Sequence, residues 1–165
     1  MTNKSALQKR IRFLVICFMS ALVLSGLTAI PLQWELKLLM PFVEKISGWG
    51  IAFPALLGWM DRINDGVQNG YGKYPFLAYG TDWLAFGHVA IAIAFVGVLR
   101  NPLRNIWVVN FGMIACLLVV PWTLIFGAIR GIPFFWQLID MSFGVLGIVP
   151  LWLVRRDIPR LSREL

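Results

Sequence analysis

Asp140 and His88 are the side chains in this sequence best suited to moving a proton, and both lie in runs that are otherwise apolar. A carboxylate inside such a run costs about 2.5–3.5 kcal/mol on insertion scales, so it should face a partner or a wet cavity. Gln137 lies one helical turn before Asp140, on the same face. Arg130 ends the preceding apolar run, and Thr123 lies about 10 Å below it by helical rise. His88, Thr123, Arg130, Gln137 and Asp140 therefore form a candidate polar cluster at a common depth. It could bind a small molecule or a lipid. It could also pair His88 with Asp140 as acid and base on a lipid or quinone. The alternative without chemistry is an Arg130–Asp140 ion pair that fixes two helices as a hairpin, with Arg130 the first partner of Asp140 and His88 the second.

Metal chemistry has little to build on. His88 is the single histidine, which excludes a bis-histidine haem within one chain and leaves no zinc-ligand spacing. Asp61, Asn64, Asp65 and Asn69 cluster, but Ile63 stands where a calcium loop needs an oxygen ligand, so the expectation is a solvated loop. Cys17 and Cys116 differ in depth by about 9 Å, beyond the roughly 7 Å that a disulfide tolerates. No metal ligand set is read, and the cofactor stays unknown.

The elements that must carry these residues follow from composition. Of 165 residues, 59% are hydrophobic and 14% charged, whereas a soluble domain carries about a quarter charged. Disorder and a soluble two-domain chain are both excluded. Four runs, 13–32, 83–99, 106–129 and 133–154, approach or exceed the roughly 20 residues that cross a bilayer as helix. Runs this continuous are too apolar for alternating barrel strands. The predicted fold is all-α: a polytopic four-transmembrane-helix bundle forming one membrane domain, with residues 155–165 as a tail. Pro121 predicts a kink, with neighbouring helices or Thr123 covering the freed carbonyl.

Residues 33–82 form a long outer segment between the first two spans. Leu36, Leu39, Met40, Val43 and Ile46 recur at helical spacing and predict an interfacial amphipathic helix. Residues 46–60 read as a re-entrant or interfacial piece, and 61–74, with Asp65-Gly66 and Asn69-Gly70, as turns. Two stripes predict close helix contacts in the bundle interior: Gln137, Asp140, Gly144 and Gly147 in the fourth span, and Gly87, Ala90, Ala94 and Gly97 in the second.

Charge sets the expected orientation. Lys4, Lys9, Arg10, Arg12, Arg100, Arg104, Arg155, Arg156, Arg160 and Arg163 fall on one side. Only Lys37, Lys45, Arg62, Lys73 and Arg130 fall on the other. Both termini are therefore expected in the cytoplasm, with the chain multi-pass in a plasma membrane of the bacterial inner-membrane kind. Trp34, Trp83 and Trp136 fall at outer boundaries, Trp107 and Trp152 at inner ones. The net charge of +7 then marks a lipid-facing cytoplasmic surface and not a nucleic-acid surface. Expected partners are membrane lipids and other membrane subunits or further copies of the chain. Three function classes compete: an accessory or structural subunit of a membrane assembly, an outer-facing small-molecule or lipid-binding or transport protein, and a membrane enzyme. In a background lacking Cys17 and Cys116, single cysteines at Lys73 and Asn101 should label from opposite sides of the membrane. Labelling of both from one side would defeat this topology.

Overall fold

The computed structural model describes residues 2–48 and 54–163. Every regular element among them is helical: α1 (Thr2–Leu27), α2 (Leu32–Gly48), α3 (Pro54–Lys73), a 3₁₀ turn (Pro75–Ala78), α4 (Tyr79–Ala94), α5 (Val96–Arg100), α6 (Ile106–Ile129) and α7 (Phe134–Arg163). Four spans among the described residues are long and apolar enough to cross a membrane: Lys4–Leu27, Pro75–Arg100, Ile106–Ile129 and Phe134–Arg163. The chain divides into two compact units, Met1–Leu22 with Ala90–Leu165, and Val23–Val89.

In the first unit, α6 and α7 form a close antiparallel hairpin. Its turn is written in Arg130-Gly131-Ile132-Pro133. Gly131 adopts φ +66°, the left-handed conformation that glycine takes without a Cβ penalty. Ile132 N–H donates to Gly127 O at 2.9 Å, and Gly131 N–H to Ala128 O at 3.2 Å. These two bonds close the helix end in a Schellman arrangement. Pro133 then starts α7, its carbonyl accepting from Trp136 and Gln137.

The predicted stripe in the fourth span does face a neighbour. A Cβ on Gly144 would lie 2.5 Å from Cys116 O and 3.1 Å from Val119 Cβ, and one on Gly147 3.0 Å from Cys116 Sγ. The same 3-4 spacing continues through Leu151, Val154, Ile158 and Leu161, all buried. Residues 155–163 are therefore helix and not a tail: an apolar stripe that still has a partner surface keeps the helix going. That partner includes α1, whose Ile11, Val15 and Phe18 join Phe95, Val98 and Val109 in the same core. Phe18 and Phe95 meet at 4.9 Å between ring centroids.

The predicted stripe in the second span is displaced. Gly87 has nothing near it, and Ala90 and Ala94 are exposed. Ala85, Ala92, Phe95 and Val98 are the buried positions instead, and of the stripe Gly97 keeps a close neighbour, Asn105, whose Oδ1 would lie 2.9 Å from a Cβ there. Phe95 reaches Gly112, where a Cβ would lie 2.7 Å from its ring, so a large side chain meeting a glycine set this face. The helix pauses at Phe95 and ends at Asn101, ahead of Pro102. The Asn105 side-chain amide then donates to the carbonyls of Gly97 and Asn101, both at 2.9 Å, each of which also accepts a backbone N–H. α6 continues as one helix through Pro121.

In the second unit, the predicted first span stops at Leu27 and not at 32. Pro31 disfavours helical geometry at Ile30 and lacks an N–H. Its carbonyl instead starts α2, accepting from Trp34 and Glu35. Leu36 and Met40 of α2 are buried and Val43 and Ile46 half-buried, while Leu39 of the same expected face is exposed. Residues 61–73 are helical, not turns. Asparagine and aspartate at i, i+4 spacing can sit in a helix when their side chains bond along it, as Asn69 does by donating to Asp65 at 2.6 Å. Gln68 ties α3 to α2 by donating to Gln33 O at 2.9 Å. The predicted re-entrant piece at 46–60 lies in part outside the described residues.

The α6–α7 contact gives a direct test. Gly144→Leu should drive a side chain into the Cys116 backbone and lower thermal stability in detergent by about 1–3 kcal/mol. Val145→Leu, at a position 57% exposed, should leave the midpoint nearly unchanged.

Candidate functional site

Of the five residues of the predicted polar cluster, Thr123, Arg130, Gln137 and Asp140 lie in the first unit and His88 in the second. Gln137 is buried. Its amide lies over Gly127, where a Cβ would come 2.6 Å from Gln137 Cδ, and it donates to Ile132 O at 2.7 Å. Gln137 thus closes the hairpin turn and offers little to a ligand. Arg130 is the exposed residue that follows α6. Asp140 is half-buried one turn beyond Gln137, and among the described residues no ion pair joins it to Arg130. The expected Arg130–Asp140 bridge is therefore not formed. The turn at Gly131 leaves Arg130 exposed. Thr123 is half-buried and makes no side-chain hydrogen bond among the described residues.

His88 belongs to the other unit, Val23–Val89. Its Nδ1 lies 2.8 Å from Leu84 O. A carbonyl only accepts, so Nδ1 carries the proton and donates along the helix, leaving Nε2 as an acceptor. Its Cβ sits against α1, where a Cβ on Gly26 would be 2.7 Å away. These are the contacts of a histidine packed between helices.

The strongest charge constellation is one that the sequence reading passed over. Asp157, in the part of α7 expected to be a tail, is completely buried. Its Oδ2 lies 3.4 Å from Arg10 Nε, and its Oδ1 lies 3.2 Å from Arg156 Nε and 3.7 Å from Arg160 Nη1. Oδ1 accepts a hydrogen bond from Arg156, while Oδ2 accepts none and depends on its ion contact with Arg10. The neighbouring Arg155 donates to Asn110 Oδ1 at 2.8 Å, and the guanidinium of Arg156 lies over the Trp152 ring at 5.4 Å. The signal was present in sequence. Asp157 is a lone carboxylate among four arginines, directly beside the continuing stripe at Val154 and Ile158.

Beside this cluster, the amino-terminal part of α1 and the end of α5 enclose a partly open cavity of about 60 Å³, lined by Gln8, Ile11, Arg12, Val98, Arg100 and Pro102 among others. Among the described residues no group of three or more His, Cys, Asp or Glu side chains is placed to hold a metal ion. The cysteines are free. Comparison of the chain with protein-family models, with curated proteins and with solved structures finds no match.

The Asp157 contacts predict an asymmetric mutational response. Arg10→Gln removes the ion partner of a buried oxygen and should cost about 1–3 kcal/mol of stability in detergent. Arg160→Gln should cost less, because Oδ1 keeps Arg156 and because Arg160 is 59% exposed. Adding Asp157→Asn to Arg10→Gln should recover part of the loss in a double-mutant cycle read by thermal unfolding. Simple additivity would mean the pair contributes nothing.

Proposed function

We propose that the chain is a small multi-pass membrane protein that serves as an accessory or structural subunit of a membrane assembly. It lies in a plasma membrane of the bacterial inner-membrane kind, with both termini cytoplasmic. The observation that carries this reading is how the polar groups of the spans are used. Gln137, Asn105 and His88 are spent on backbone carbonyls, and Asn110 on Arg155. The outward surface, by contrast, is broad and apolar: Leu117, Leu118, Trp122, Ile125 and Ile129 of α6 are all more than half exposed. Such a surface suits lipid and neighbouring helices, where packing of side chains drives association.

One observation favours a second reading. Asp140 is half-buried in an apolar span and makes no hydrogen bond or ion pair among the described residues, as expected of a group that meets a ligand in an outer-facing binding or transport protein.

Native mass spectrometry of the chain, extracted from its own membranes in mild detergent, separates the two. The subunit reading expects a stoichiometric protein partner or a defined homo-oligomer. A monomer that retains a small molecule, and loses it on Asp140→Asn, would overturn it in favour of ligand binding.

A further inference from the structure

We infer that Arg12 and Arg100 hold a phosphate group carried by the headgroup of an anionic phospholipid. The two arginines line one cavity, on α1 and at the end of α5. Neither makes an ion pair or a side-chain hydrogen bond among the described residues, whereas Arg10, Arg155, Arg156 and Arg160 are all engaged. Among the described residues, Asp157 at this end is already surrounded by three guanidinium groups and makes no contact with Arg12 or Arg100. Two guanidinium groups around one small cavity repel each other, and a phosphate between them turns that repulsion into charge-assisted, fork-shaped hydrogen bonding.

Size and placement narrow the ligand. A volume of about 60 Å³ admits about four water-sized groups, which matches the oxygens of a phosphate. Gln8, one turn before Arg12 on α1, adds an amide to the lining, and the buried Ile11 and Val98 make its base. Arg12 immediately precedes the apolar run that starts at Phe13, and Arg100 immediately follows the one that ends at Leu99. Both therefore mark the edge of a span, the level at which headgroup phosphates lie and to which long cationic side chains reach. Phe13, beside Arg12, is 65% exposed and offers apolar surface to an acyl chain. This placement favours a lipid over soluble phosphate, and it rests on the membrane reading proposed above.

The test uses the full chain in mild detergent, with thermal unfolding followed as phosphatidylglycerol, phosphatidylcholine or sodium phosphate is added at matched ionic strength. Phosphatidylglycerol should raise the midpoint saturably and more than phosphatidylcholine, and sodium phosphate should not. Arg12→Gln with Arg100→Gln should weaken the phosphatidylglycerol response by about tenfold. The corresponding double lysine variant should keep part of it. Arg163→Gln, a charge loss away from the cavity, should change it less than about twofold. If the double glutamine variant does not fold, Arg100→Gln alone carries the test. An unchanged response in the glutamine variant, or an equal loss in Arg163→Gln, overturns the site. Equal stabilisation by sodium phosphate overturns the lipid and assigns the cavity to a soluble anion. Failure of the chain to float with liposomes overturns the membrane reading itself, whereas loss of arginine dependence in a chain that floats overturns only this site.

Discussion

The close approach of the α6 and α7 backbones is the constraint on which the first unit depends. In apolar surroundings two helices gain little from hiding hydrophobic surface from one another, so their association rests on packing at short range. Gly127, Gly144 and Gly147 permit that range: each position would place a Cβ within 3.0 Å of an atom from the facing helix. The turn at Gly131 brings the helices back antiparallel, and Gln137 fills the space over Gly127 while capping Ile132 O. Glycines that look like flexible points in the sequence are here the reason for rigidity.

Beyond Gly147 the same stripe changes character. Leu151, Val154, Ile158 and Leu161 replace glycines, and the gap they fill is closed by Ile11, Val15 and Phe18 of α1 with Phe95 and Val98. Asp157 enters this apolar setting as a fully enclosed carboxylate. Buried charge is poor evidence of stability, because desolvation offsets most of the attraction. Its consequence is positional: α1 can meet α7 only where Arg10 reaches Oδ2. The engagement of Arg10 also separates its role from that of Arg12, two residues along the helix and lining the cavity with Arg100. One carboxylate thus divides the basic end into arginines that hold the fold together and arginines left for an anion.

The apolar surface elsewhere has a different meaning. Only 11% of the most hydrophobic window of α6 lies inside the structure. A soluble protein could not leave such a helix open to water. Four helices of this kind are compatible with a multi-pass membrane protein, and their broad apolar surface supports the subunit reading proposed above.

Much of the architecture was legible in sequence. The bounds of α6 coincide with the hydropathic run 106–129, and the Gln137–Gly147 stripe pointed to the face that packs, because small residues at 3-4 spacing carry their geometry in the chain itself. Other features needed the fold. The stripe of the second span was displaced because Phe95 found Gly112, a contact between residues seventeen apart that no local pattern encodes. Residues 61–73 carry turn dipeptides, yet they are helical where α3 packs on α2 and the 3₁₀ turn. The polar cluster was inferred from depth alone, and depth does not say what a side chain meets: Arg130 is exposed, and Gln137 donates to Ile132 O in the turn. Asp157 was hidden by the opposite error, since its arginine-rich surroundings resemble a solvated tail. By itself the sequence determined composition, span number and the small-residue face, which depend on side-chain chemistry and helical period. Only the tertiary structure decided which charges are enclosed and which stay open, because that depends on which distant residues the packing brings to the same place.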